Sequence, residues 1–259
     1  MIDFNSQLDP CANSQLPRYV CLGQTTQLGS LALNFITDWI ILGVGTRIAL
    51  GVGSCRGSTS LLLRARRPRR YSLAVPHIHV SAELPGIRAL LAFRPETAGP
   101  LAALANALLH APNSLSPGER ELIAAHVSSL NDCDYCRDSH AAIAACHLGD
   151  EAAVRSAVED PESAPISDKL KALLSIAARV QQGGRQVRDE DVARARRHGA
   201  TDTEIHDAVL ISAAFCMFNR YVDGLAAWTP SDPGGYHARA RLVAEQGYSI
   251  SLPQPATSS

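Results

Sequence analysis

Glu121, Cys133, Cys136 and His140 fall within one twenty-residue stretch, and their types and spacing suit thiol redox chemistry. A C-x-x-C pair holds two sulfurs near enough to close a reversible disulfide. At a helix N-terminus the unpaired N–H groups favour thiolate, the species that attacks peroxides and disulfides. His140 follows Cys136 by four residues and Cys133 by seven, so on a helix its imidazole shares their face and can pass protons to either sulfur. Glu121, near the start of a preceding helix, would hold or deprotonate that imidazole if the two helices pack antiparallel. The four residues supply a nucleophile, a resolving thiol and a proton relay.

Each residue also has a plainer reading. Cys133, Cys136 and His140 have the spacing of three zinc ligands, but no second cysteine pair closes a structural site and the cysteines head a helix rather than a knuckle. Glu121 alone would be a solvated first-turn acid, and His140 alone a surface histidine on an amphipathic helix. Only the joint spacing separates them from those fates.

The elements that must position these groups can be read locally. Ser116, Pro117 and Glu119 form a capping box with proline at the first helical position. Leu122, Ile123, Val127 and Leu130 continue it with a 3.6-residue apolar stripe. Asn131 and Asp132 are suited to cap a second helix whose first turn contains both cysteines and which stops at Gly149.

The run Leu115-Ser116-Pro117 to Glu121-Leu122-Ile123, then Val127-Ser128, then Cys133-x-x-Cys136-x-x-x-His140 resembles the carboxymuconolactone decarboxylase-like superfamily, in its alkylhydroperoxidase D-like, peroxidase-related branch. The likeness extends in general character from about Pro76 to Tyr248. It implies an all-α, alkylhydroperoxidase D-like helical bundle with the C-x-x-C motif at a helix N-terminus, assembled as trimers or hexamers. By this resemblance Cys136 is the peroxidatic cysteine, Cys133 its resolving partner and proton donor, and Glu121 with His140 the relay. Tyr135 departs from the pattern, because some alkylhydroperoxidase D proteins carry histidine between the cysteines.

The rest of the chain fits an all-α class. Glu96 to Leu109 is rich in alanine and leucine at helical spacing. Ser167 caps a run with Leu170, Leu173, Leu174, Ala177 and Val180 on one side, ended by Gly183-Gly184. Asp189 opens a short helix ending at Gly199. Thr201 and Glu204 form another capping box ahead of the apolar segment Ile205 to Ala227, and this unit weakly repeats the pattern of residues 117–130 without its C-x-x-C. Cys146 and Cys216 read as small core residues. Asn219, Arg220, Tyr221 and Asp223 either line a pocket beside the cysteines or emerge at a helix end. No alternating strand pattern follows Ser81.

Residues 1–74 differ sharply in composition. They hold eight arginines, no lysine, three acids and three of the seven cysteines, with five arginines between Arg64 and Arg70. The apolar stretch Leu31 to Cys55 is broken by Asp38, Arg47 and glycines, a poor membrane span. A secretory signal would begin with basic residues, whereas the first here is Arg18. The expectation is that residues 1–74 are a disordered or non-native extension, with Val75 as a natural start if it were encoded by a GTG initiator. A basic arm for acidic lipid or nucleic acid is the competing reading.

From Val75 onward about 185 residues suffice for one helical domain with its own core. That part carries 16 basic and 22 acidic residues, which argues against nucleic acid as a partner. One close cysteine pair fits a redox-active dithiol in a reducing cytoplasm rather than a disulfide scaffold. The expected activity is a cytoplasmic thiol peroxidase without metal or other cofactor and without membrane attachment. Its partners would be a hydroperoxide substrate and a dithiol or thioredoxin-like reductant. The alternatives are a decarboxylase-type enzyme on a small lactone or keto acid, using Glu121 and His140 without thiol turnover, and a non-catalytic redox sensor.

Overall fold

The computed structural model describes residues 75–248. The expected extension, residues 1–74 with its arginine block, lies outside the described residues. Among the described residues the architecture is all-α: α1 (Ile87–Phe93), α2 (Pro95–Leu109), α3 (Pro117–Leu130), α4 (Asp134–Leu148), α5 (Glu151–Glu159), α6 (Asp168–Gln182), α7 (Asp189–Arg197), α8 (Asp202–Gly224) and α9 (Pro233–Gln246).

Side-chain caps set most of these boundaries. Ser116 accepts from the Glu119 backbone N–H while Glu119 bonds back to the Ser116 N–H, and Thr201 with Glu204 does the same for α8. Each such cap contributes about 1 kcal/mol. Gly149 ends α4 in the left-handed conformation at φ 71, where a side chain would be strained. The long helix stops at Gly224, short of the expected Ala227. Helices α1, α5 and α9 are too short or too weakly periodic to stand out in the sequence. Asp150 and Asp232, which cap the last two, are their clearest local signals.

Helix α3 is the centre of the bundle, packed by α4, α5, α6 and α8. Burial on nearly every side explains its smeared apolar stripe. The main core joins Leu122, Ile123 and Val127 of α3 to Leu173, Leu174 and Ile176 of α6 and Ile211 and Phe215 of α8. Truncating one such leucine to alanine costs about 2–5 kcal/mol. A second, smaller apolar cluster lies around the start of α4: Leu90, Cys133, Tyr135, Cys136, Val222 and Tyr236 belong to it. It places the cysteine pair between α1, α4, α8 and α9. Gly118 lets α3 and α4 approach closely, since a Cβ there would meet Leu148 Cγ at 2.6 Å.

Candidate functional site

The α3–α4 hairpin brings Glu121 to His140. The carboxylate is fully buried, and its Oε2 lies 2.6 Å from His140 Nδ1. Tyr248, beyond the end of α9, donates its hydroxyl hydrogen to Glu121 Oε1 at 2.8 Å, and its oxygen lies 3.1 Å from the same His140 Nδ1. His110 Nε2 approaches Glu121 Oε1 at 3.5 Å, outside hydrogen-bond geometry. Phe215 meets the His140 ring edge-on at 4.5 Å between centroids, holding its plane.

This arrangement determines what each group can do. Burial alone would raise the Glu121 pKa, but the charge of His140 and contacts from His110, His140 and Tyr248 outweigh it and hold it at about 2. An ionised carboxylate at Nδ1 favours keeping a proton on that nitrogen, which leaves Nε2 as the ring atom able to exchange one. Burial, with Glu121 as neighbour, pushes the Tyr248 hydroxyl well above its ordinary range. It stays a donor.

Tyr248 and His110 were missed by sequence reasoning, having no motif near them. A weak signal exists at Gly247: its φ is 70, and a Cβ there would meet Asn106 Oδ1 at 2.6 Å. That oxygen accepts from the Tyr248 backbone N–H at 2.7 Å and seats the tyrosine.

The cap of α4 differs from expectation. Asn131 ends α3, Asp132 takes a left-handed conformation at φ 59, and Cys133 itself occupies the N-cap. Only Cys136 therefore lies in the first helical turn. The reason is that Asn131 is engaged elsewhere: its side chain donates to Asn219 Oδ1 at 2.8 Å and accepts from Gln181 at 3.0 Å. Asn219 in turn donates to Ser128 Oγ. This amide network, buried at Asn219 and Ser128, ties the α3–α4 turn to α6 and α8.

Both cysteines are free thiols, Cys133 fully buried and Cys136 4% exposed. For Cys133 the helix terminus does not prevail. A hydrogen bond with the Cys136 side chain, burial and the nearby charges of Cys136 and Asp223 push its pKa up, with only the Cys136 backbone N–H acting in the opposite direction. Tyr135 turns into the apolar cluster, its ring 6.1 Å from that of Tyr236. Burial pushes its hydroxyl up to about 12.

Asn131, Asn219, Arg220, Asp223 and Gly224 line an open cleft of ≈ 420 Å³. Three of the four polar residues following the apolar run of α8 thus reach one concavity. Tyr221 packs instead against the second apolar cluster. Cys216 is half-buried with its sulfur 3.7 Å from Asn131 Nδ2, whereas Cys146 is exposed, contrary to its reading as core. Its side of α4 leaves the bundle. Among the described residues no group of three or more His, Cys, Asp or Glu is arranged to hold a metal ion, and no helix is long and apolar enough to cross a membrane.

Residues 95–157 match the model of the carboxymuconolactone decarboxylase family. No curated protein matches the chain. Among solved structures it is similar to the alkylhydroperoxidase AhpD core of an uncharacterized peroxidase-related protein from Ralstonia eutropha. The identity is 28% and the TM-score 0.55, over 61% of this chain and 82% of that one. An uncharacterized peroxidase-related protein from a Silicibacter species is similar at 29% identity and TM-score 0.55, over 61% of this chain and 81% of that one. The resemblance read from the sequence therefore holds: the chain carries the segment of the carboxymuconolactone decarboxylase family and is built like AhpD-like, peroxidase-related proteins.

Proposed function

We propose that the protein is a thiol-dependent peroxidase in which Cys136 reduces hydroperoxides and Cys133 resolves the product. The observation that carries this reading is the pair of free thiols at the N-cap and first turn of the helix that presents His140 to buried Glu121. His140 Nε2 accepts the Cys136 proton as the thiolate attacks the terminal peroxide oxygen. The O–O bond breaks, Cys136 becomes sulfenic acid, and the leaving alkoxide takes up the proton to depart as alcohol. Cys133 then attacks the Cys136 sulfur, forming the disulfide and releasing water. A dithiol or thioredoxin-like donor restores both thiols and is itself oxidised to a disulfide. The likeness to peroxidase-related structures supports the assignment.

Further parts of this reading are a cytoplasmic setting and a homo-oligomer, trimer or hexamer, which rest on the family resemblance and are tested by light scattering and fractionation. The matched family's name, together with a Glu121–His140 pair more buried than a purely surface relay, favours one second reading, proton-transfer catalysis of decarboxylase type. Peroxide consumption by the purified protein, followed with and without a dithiol reductant, tests the assignment. Catalytic turnover that needs the dithiol supports the peroxidase, whereas no consumption in either condition rejects it.

A further inference from the structure

Asn219 of α8 is fully buried and grips the turn that leads into Cys133 at two points. Its Oδ1 accepts from Asn131 Nδ2 at 2.8 Å, and its Nδ2 donates to Ser128 Oγ at 3.0 Å. The Ser128 carbonyl in turn accepts the Cys133 backbone N–H at 3.0 Å. Between Asn131 and Cys133 stands Asp132 at φ 59, a conformation that a residue other than glycine keeps only where its neighbours hold it. Gln181 of α6 completes the hold, donating to Asn131 Oδ1 at 3.0 Å and to the Leu130 carbonyl at 3.1 Å.

The turn sets the place of one sulfur relative to the other. Cys133 is the N-cap of α4 and Cys136 stands three residues on, the two positions whose side chains meet across the first turn of a helix. We propose that Asn219 is a positioning residue for the dithiol: by fixing the turn from Ser128 to Cys133 it keeps the two sulfurs within bonding reach and stabilises their disulfide. A held pair closes its S–S bond at high effective concentration. A loosened turn lets the reduced form spread over conformations from which the bond cannot close, a freedom that the disulfide form does not gain. Losing the clamp therefore shifts the equilibrium toward the two thiols. A part in the resolving step rests on the peroxidase reading; the thiol–disulfide equilibrium does not.

The test equilibrates the full chain with mixtures of reduced and oxidised dithiothreitol. As the Cys133–Cys136 bond forms, the two thiols give up two electrons and two protons, and oxidised dithiothreitol takes them up to become the dithiol. After quenching by alkylation, mass spectrometry of the tryptic peptide 121–137, which carries both cysteines, reads the disulfide fraction. Asn219→Ala should make the disulfide about tenfold less stable, the loss expected for one or two net hydrogen bonds. Asn131→Ala removes the same bond from its half-buried end and should act alike, with little further change in the double variant. Leu173→Ala is the control for general destabilisation, in the main core two turns before Gln181 on α6, and should stay within twofold of the parent. Equilibria within twofold of the parent in both asparagine variants overturn the proposal. So does a more stable disulfide in either, an equal shift in Leu173→Ala, or a parent that forms no such disulfide at any ratio. If the equilibrium shifts as expected while the parent consumes no peroxide, the peroxidase reading fails and the role of Asn219 stands.

Discussion

The Tyr248 hydroxyl reaches Glu121 at 2.8 Å across 127 residues of sequence, joining the end of the described chain to the first turns of its central helix. Glu121 is acceptor to His140 and Tyr248 together, and the charge of His140 with these bonds and His110 holds the pKa of a fully buried carboxylate down. The hydrogen-bonded cluster around Glu121 is therefore built from three separate segments rather than from the α3–α4 hairpin alone.

Tyr248→Phe should remove that donor while keeping the ring contacts with His110 and His140. A hydrogen bond to a buried charge is worth about 1.5–3 kcal/mol, so the melting temperature should fall and the Glu121 pKa should rise. Denaturant titration and carbonyl-selective infrared titration measure the two effects. Stability and titration both unchanged would show that Tyr248 is a bystander.

Glu121→Gln and His140→Ala should each lower peroxide turnover on the order of 10²-fold or more, with the fold retained by circular dichroism. The 2.6 Å contact makes them one unit, so the double variant should lose little beyond either single one. Rates within a few-fold of the parent in both would remove acid–base catalysis from the mechanism.

The sequence made the hairpin legible because capping boxes and a C-x-x-C leave short-range marks. Glu121 and His140 can be paired from helical spacing once the hairpin is taken as antiparallel. Tyr248 cannot, since its partner is fixed by where α9 lies and not by any local pattern. Asn131 misleads for a physical reason: its side chain suits an N-cap, but the long-range bond to Asn219 outweighs the local one. Local reasoning gives Cys133 the benefit of the helix terminus, yet its burial against a cluster that includes Val222 and the nearby Asp223 charge involve α8 and leave no mark near the motif.

Cys136→Ser should abolish peroxide consumption. Cys133→Ser should allow one stoichiometric oxidation, trapped as sulfenic acid, and no turnover with the same dithiol. Dimedone labelling and mass spectrometry distinguish these outcomes. Normal turnover by Cys133→Ser would mean that the roles are misassigned, and reversed phenotypes would exchange them.

Gly86→Ala should perturb the dithiol from a distance. Gly86 has φ 54, and a Cβ there would run into the Tyr135 ring, which lies between the two cysteines in sequence. Strain and overpacking together should cost about 2–4 kcal/mol. The variant should also alkylate faster at Cys133 and Cys136 as the start of α4 loosens. A stable variant with unchanged thiol reactivity would show that Tyr135 yields without moving that turn.

Acid should weaken the fold in two separate windows. His126, 5% exposed, has its pKa lowered to about 4 by burial, while its unfolded value is 6.5. Between those values the unfolded chain binds the extra proton, so stability is full above pH 6.5 and falls as pH drops toward 4, by about 3 kcal/mol. Glu121 acts lower down. Its folded pKa of about 2 lies below the ordinary 4.5, so its contribution is present above 4.5 and lost as pH falls through 2. Urea unfolding against pH should accordingly show a first decline that His126→Gln flattens and Glu121→Gln leaves in place, and a second with the opposite dependence. A first decline that survives His126→Gln would assign it to another group.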